Sequence, residues 1–460
     1  MGNSEAAGRQ AAPESTIPFR EAGMKRRTFL GTAAAPMIAS PRIFGANSRL
    51  KVGVIGVGNR ARWLMQYFGK ELDEVDLVAV ADCYLARCYG KDAAQQRATP
   101  FNDGWERWAK YPSYQKMFDK EKLDAVWVQT TTHARALAVI HAMQAGVDVY
   151  AEKPIHLTVE EGRAMVRAAQ KYQRVFQAGS QQRSMPINRY ASDLVRTGKI
   201  GKIKTVKVCN YLPGLVWKPQ PEQPIPEGLD WDVWCNQTEL RPYHQELHHR
   251  WSNWIDYDDG GQSWGVSGWG THGLDQVQCA LGMDDTGPVE LWTENREVED
   301  APDFPFLKNS SFKHLLNRKP VVLKFASGTL VKLEEPGKNS HSQLGGIFVG
   351  ETGTIEIVRG DYTADPQELR KNSPPVLPEG KGEDVPHLKN FVQCVLSRKK
   401  TNADVETAHR ATSLCHLVSI CRLLDRKLKW DPKVEKFLGD DEANSMLSRP
   451  RRKGYELPKI

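Results

Sequence analysis

Apolar residues recur along this chain in two distinct rhythms. In the first, short runs of strand length alternate with stretches of helical period. Leu50-Lys51-Val52-Gly53-Val54-Ile55 stops at Gly56, and Leu77-Val78-Ala79-Val80-Ala81 ends on Asp82. Asp124-Ala125-Val126-Trp127-Val128-Gln129 is the next buried-strand run. Leu137, Ile140 and Met143/Gln144 then recur at helical spacing until Gly146, and Val147-Asp148-Val149-Tyr150 follows as another strand. A stripe of Val166, Ala169 and Tyr172 leads to Arg174-Val175-Phe176-Gln177-Ala178. Strand, helix and strand in regular alternation predict a doubly wound parallel sheet over roughly residues 48–180.

Past that point the rhythm changes. Lys202–Val208, Val321–Phe325, Thr329–Leu333, Gly346–Gly350 and Thr354–Val358 read as strands, with Ala326-Ser327-Gly328 as a hairpin loop. They predict a mixed, largely antiparallel sheet. Residues 211–270 are rich in Trp, Pro and His, too irregular for a packed element and too aromatic for a linker, and so read as a loop that shapes a pocket. Leu388, Phe391, Val392 and Val395 mark one late helix; Ala408, Ala411, Cys415 and Val418 mark another. The expected fold is α/β: an N-terminal Rossmann doubly wound parallel sheet and a C-terminal α+β domain on a mixed sheet. The expected division is an export signal and linker over 1–47, a nucleotide domain over 48–180, a substrate and oligomerisation domain over 181–440, and an extended tail over 441–460.

Composition narrows the class. A hydrophobic fraction of 40% excludes a disordered or fibrous chain, and the net charge of +7 is interleaved along the sequence, which gives no nucleic-acid footprint. No apolar run is long enough to span a membrane. The eight cysteines show no Cys-x-x-Cys pairing, so no metal site is expected, and disulfides stay open. Lys25-Arg26-Arg27-Thr28-Phe29-Leu30, followed by a weakly apolar stretch, resembles a bacterial twin-arginine export signal. It predicts a periplasmic or otherwise exported protein, and a cytoplasmic one if the signal does not function.

The chemistry begins at Gly56-Val57-Gly58-Asn59-Arg60-Ala61. Gly56 permits a tight turn, Gly58 lets the backbone approach a pyrophosphate, and Ala61 allows close helix packing. Asp82, about twenty residues on, sits where a carboxylate accepts hydrogen bonds from a ribose diol and repels a 2′-phosphate, so NAD is preferred over NADP.

Glu152-Lys153-Pro154 at the end of the fifth strand, together with that turn, resembles the Gfo/Idh/MocA oxidoreductases. The likeness extends through Gln181-Gln182-Arg183, Gly260-Gly261 and Gly270-Thr271-His272-Gly273-Leu274-Asp275 to Gly346–Thr354. Leu428–Pro432 and Glu442-Ala443-Asn444 resemble the exported branch with an extended C-terminal domain. The resemblance implies bound NAD(P) and hydride transfer at a sugar or polyol carbon. Its implied cofactor contacts are Gly56, Gly58, Asn59, Arg60, Asp82, Thr130, Thr131, Glu152 and Lys153, and its substrate contacts are Arg183, Tyr243, Trp269 and Asp275. It also implies a homo-oligomer joined through the C-terminal sheet.

Hydride loss from a carbinol needs a base for the hydroxyl proton and a cation for the developing alkoxide; Lys153 and His272 can supply both. Pro154 fixes the backbone beside Lys153. Two departures stand out. Gly268 occupies the position four before His272 where the family commonly has aspartate, and Arg135 stands where it commonly has histidine. Tyr243, His244, Glu246, His248 and His249 are candidates to fill the gap. Two further readings remain: a glycosidase that uses NAD transiently through oxidation, elimination and re-reduction, and a non-catalytic sugar-binding protein.

Overall fold

A computed structural model describes residues 49–68, 70–90, 105–261, 263–295, 318–334, 342–378 and 382–460. The expected export signal lies outside the described residues. The first sheet contains β1 (Leu50–Ile55), β2 (Val75–Ala81), β3 (Ala109–Tyr111), β4 (Ala125–Val128), β5 (Asp148–Ala151) and β6 (Phe176–Ala178). All pairs are parallel, in the order β3-β2-β1-β4-β5-β6. This is the doubly wound arrangement that the apolar runs predict. Every residue of β4 and β5 is buried, as expected of strands covered on both faces. Only β3, short and half-buried, has no apolar run to announce it. Strand order reverses between β1 and β4, and ligands of such sheets bind outside the strands' C-terminal ends at that point.

One face of this sheet is closed by a helix from far along the chain. Leu388, Phe391, Val392 and Val395 of the helix Asp384–Ser397 join a core with Leu64, Trp127 and Tyr150. The periodicity locates that helix; its partner, the nucleotide sheet, is settled by packing.

The second sheet contains β7 (Thr205–Cys209), β8 (Pro288–Thr293), β9 (Val321–Phe325), β10 (Leu330–Glu334), β11 (Gly346–Val349), β12 (Thr354–Val358), β13 (Asp361–Asp365), β14 (Leu428–Asp431) and β15 (Lys436–Phe437). Its order is β13-β12-β11-β7-β10-β9-β8-β14-β15, with β7 and β10 parallel and the other pairs antiparallel. Gly328 turns the β9–β10 hairpin at φ +86°. Helices Pro186–Arg196, Trp269–Leu281 and Val405–Leu424 pack on the sheet and share its core. Both sheets belong to one compact unit.

The Trp-rich segment, whose composition reads as too irregular for a packed element, is packed. Trp217, Trp231, Trp234, Tyr243, Trp254 and Tyr257 form a core of their own, with Trp231 stacked on Trp234 at 4.5 Å. Aromatic area makes up for the missing periodicity. This unit docks beside β2, where Asp230 N–H donates to the Cys83 carbonyl at 2.9 Å. The C-terminal segment is not extended throughout, since Asp441–Ser445 is a short helix, and it is anchored: Arg451 pairs with Glu161, Arg452 with Asp232 at 2.8 Å, and Leu457 and Ile460 pack on the nucleotide domain's core. All eight cysteines are free thiols. Among the described residues no helix is long and apolar enough to cross a membrane, and no cluster has metal-ligand geometry.

Candidate active site

Gly56 closes β1 at φ +86°, with its N–H on the Ala81 carbonyl at 2.8 Å. A Cβ there would sit 2.9 Å from the backbone of Gln129 and Thr130, so both the conformation and the close approach of β4 require glycine. Gly58 precedes the helix Asn59–Met65 in extended backbone, which any residue adopts. No side chain caps that helix, so its first N–H groups are not occupied by a cap. Asn59 is exposed.

Asp82 is buried, and its carboxylate accepts from Val57 N–H at 2.7 Å and Tyr84 N–H at 2.8 Å. It therefore ties the glycine turn to the end of β2, and its remaining lone pairs are what a ribose diol can use. The Thr130 hydroxyl is buried without a hydrogen-bond partner, and its carbonyl receives Arg135. Thr131 opens the short turn Thr132–Ala134 without a side-chain cap bond. A glycine turn, an uncapped helix start and an orphaned hydroxyl at the switch point fit a dinucleotide.

Beyond β5 the polar residues converge. Arg60 bridges two carboxylates, Glu152 at 2.9 Å and Asp384 at 2.7 Å. Burial disfavours its charge, but these two acids outweigh that and raise its pKa. Gly179 lies so close to Glu152 that a Cβ would come within 2.7 Å of the carboxylate. Lys153 follows, half-buried, and its Nζ donates to the Gly268 carbonyl at 3.1 Å. Desolvation lowers its pKa, with Glu152 and Asp258 opposing and Arg359 and Arg60 assisting.

His272 stands in the same field. Its pKa is pushed well below the usual value by burial and then by Lys153, Arg359 and Arg60, so the imidazole is neutral. Its Nδ1 is buried with no hydrogen-bond partner. Arg135 donates to the carbonyls of Thr130 and Pro154 and so clamps the loops after β4 and β5 together. Burial lowers its pKa to about 10.

Sequence reasoning missed two members of this site. Arg359, between β12 and β13, reaches Gln181 and pairs with Glu383 at 2.9 Å while acting on both Lys153 and His272. Asp258 is buried near Lys153 and Arg135, and burial pushes its carboxyl up to about 7. The glycine beside it was a usable signal, since a Cβ on Gly261 would fall 1.5 Å from the Asp258 carboxylate.

Other expected contacts are engaged elsewhere. Arg183 is buried, with Nε on Asp275 at 2.8 Å and Nη2 on Asp284 at 2.7 Å, so both Arg183 and Asp275 serve a closed internal ion pair rather than a substrate. Tyr243 is in the Trp-rich core. Trp269 packs on Trp264 at 4.6 Å. Nor do the loop histidines replace the residue missing at Gly268. His244 caps its own helix through Nδ1, and His248 sits among Trp231, Trp234 and Tyr243 with its pKa lowered to about 3 by burial. His249 packs on His248, and Glu246 pairs with Arg250.

Comparison with known proteins gives the class. The profile "Oxidoreductase family, NAD-binding Rossmann fold" matches residues 50–180, and "Oxidoreductase family, C-terminal alpha/beta domain" matches residues 191–457. The chain belongs to the Gfo/Idh/MocA oxidoreductase family, and its first domain is an NAD-binding Rossmann domain. A curated relative, 2,7-anhydro-N-acetylneuraminate hydratase of Mediterraneibacter gnavus, is 36% identical over 87 residues, which are 19% of this chain and 23% of the relative. Inositol 2-dehydrogenase of Salmonella typhimurium is 23% identical over 39% of this chain and 50% of its own length. The matched segments thus span half or less of these relatives. An Agrobacterium radiobacter oxidoreductase solved with NAD+, L-tartaric acid and magnesium superposes with a TM-score of 0.54 at 14% identity, covering 83% of this chain and 98% of that one. Lactobacillus plantarum myo-inositol 2-dehydrogenase superposes at 0.52 and 17% identity, covering 83% and 99%. These likenesses show the fold.

Proposed function

We propose that the protein is an NAD-dependent oxidoreductase acting on a sugar or polyol hydroxyl, with Lys153 and His272 at its chemical centre. The observation that carries this reading is the neutral His272, whose orphaned Nδ1 shares a buried field with the Lys153 cation at the sheet's switch point. NAD, when bound, supplies the hydride acceptor. Lys153 stabilises the negative charge that develops on the substrate oxygen, and the His272 imidazole takes the hydroxyl proton. The test incubates the purified protein with NAD and a panel of polyols and aldoses that includes myo-inositol. NADH absorbance that requires both Lys153 and His272 is the expected result; no NADH with any member of the panel argues against net oxidation.

A second reading is a redox-neutral reaction in which the hydride returns to the product, as in a glycosidase. The hydratase among the relatives favours it, because hydration changes no net oxidation state. Aryl glycosides and anhydrosugars consumed without net NADH would select it. Export through the Arg26-Arg27 signal is part of the same proposal: replacing both with Lys should leave the precursor in the cytoplasm, and unchanged periplasmic delivery would refute it. Homo-oligomerisation through the second sheet is read out by light scattering on a size-exclusion column.

A further inference from the structure

We propose that Gln129 is a cofactor-binding residue whose side-chain amide takes the diol of the ribose on the nicotinamide side of NAD. This concerns the NAD-binding domain alone, so it stands or falls apart from the proposed reaction.

Both polar atoms of that amide, Oε1 and Nε2, are buried without a hydrogen-bond partner, although the residue as a whole is only half-buried. The hydroxyl of the next residue, Thr130, is orphaned as well. Unmatched donors and acceptors in an interior cost stability, and they are kept where a ligand or an ordered water completes them.

The register of the sheet places the amide. β1 and β4 pair Ile55 with Val128, and Gln129 N–H donates to the Ile55 carbonyl at 2.7 Å, so Gln129 is the next rung, beside Gly56. β4 and β5 pair Val128 with Ala151, which puts Glu152 on its other side. Side chains alternate along a strand: Val126 and Val128 enter one core, while Ala125 and Trp127 enter the core that holds Leu64 of the helix Asn59–Met65. Gln129 therefore falls on that helix's face. Glu152 falls there too, since it pairs with Arg60 of the same helix at 2.9 Å.

The strand order then selects the part of the cofactor. Asp82 ends β2 and takes the adenosine ribose, the glycine turn at the end of β1 takes the pyrophosphate, and β4 is the next strand end across the switch point. A phosphate offers only acceptors and would match Nε2 alone. A ribose diol offers donors and acceptors together, and so matches both orphaned atoms at once. Glu152, the neighbouring acid, is already spent on Arg60, on Gln181 at 3.5 Å and on the Lys153 backbone N–H at 3.3 Å. An uncharged amide beside it recognises the diol without adding a second negative charge.

The experiment is titration calorimetry of the full chain, stripped of nucleotide, with NAD, ADP-ribose and ADP, on the unaltered protein, Gln129→Met and Gln129→Ala. ADP-ribose carries the second ribose and ADP does not. Both substitutions should weaken NAD and ADP-ribose on the order of tenfold and leave ADP within about twofold, as expected for the loss of hydrogen bonds to that ribose alone. Equal losses for ADP and NAD would assign the amide to the pyrophosphate or to the fold and overturn the proposal. Unchanged NAD affinity in either folded variant overturns it too. Without nucleotide, Gln129→Met should melt no lower than the unaltered protein, because the thioether replaces atoms that have no partner; a lower melting temperature would make the amide a structural strut and count against the proposal. In the unaltered protein, the Gln129 side-chain N–H signals should shift in NMR spectra on adding ADP-ribose and not on adding ADP, and equal shifts with both ligands overturn the assignment.

Discussion

Two buried charge clusters in this chain look alike in the sequence and differ in what their hydrogen bonds leave over. Around Arg183, every guanidinium nitrogen has a carboxylate or carbonyl partner: Asp275 takes Nε, and Asp284 takes Nη1 and Nη2. Around Lys153 the groups are incompletely matched. The lysine has a backbone carbonyl, His272 Nδ1 and the Thr130 hydroxyl have no partner, and Asp258 is held near neutrality. Unpaired buried polar groups cost stability and are kept where a ligand completes them. The first cluster is therefore architecture, and the second is where chemistry belongs.

The largest effect that could break this contrast is on stability. Arg183→Ala strands Asp275 in the interior and should destabilise the fold by about 3–5 kcal/mol, measured by denaturant unfolding. The protein that remains folded should keep its turnover; a stable variant with lost activity would move Arg183 into the active site. Lys153→Ala and His272→Ala should do the reverse, cutting turnover on the order of 10²-fold or more at nearly unchanged melting temperature. The double variant should lose less than the product of the two, since both groups serve one event.

A smaller effect concerns acid. His133, His248 and His387 are buried neutral, with pKa values lowered to about 4, 3 and 4 by desolvation. Because the unfolded chain binds their protons first, the stability they contribute is complete above the unfolded pKa of about 6.5 and is lost as pH falls towards the folded values. Asp275 and Asp258, raised by burial to about 6 and about 7, work in the opposite sense. His141, also lowered to about 4 by burial, makes four such histidines against two carboxyls, and with His156, His272 and His409 lowered as well the balance is a net loss on acidification of about 1.4 kcal/mol per unmatched proton per pH unit. Calorimetric melting temperatures should fall from pH 6.5 to pH 4; a flat profile would refute the buried neutral state. Last, Asp82→Ala should weaken NAD about tenfold and NADP less, by titration calorimetry. Equal losses would leave Asp82 only the task of tying Val57 to β2.

Asp82 and Lys153 were legible in the sequence because each stands at the end of a strand whose apolar run can be counted. Arg183 and Asp275 were legible as unusual residues, but not as each other's partners. The segment before Trp254 misled for a related reason: Tyr243, His244 and His248 carry suitable chemistry, yet aromatic packing turns Tyr243 and His248 inward and His244 caps its own helix.

The chain's local pattern determined what depends on neighbours in sequence. The parallel runs, the turn that only Gly56 can make, the β9–β10 hairpin and the acid after β2 follow from side-chain period and backbone freedom over a few residues. Tertiary structure decided what depends on which surfaces meet. It set helix Asp384–Ser397 on the nucleotide sheet, closed Arg183 on Asp275, and brought Asp258 near Lys153. Charge and burial act through space, so the same aspartate or histidine becomes a strut or a proton site only when folding has chosen its neighbours.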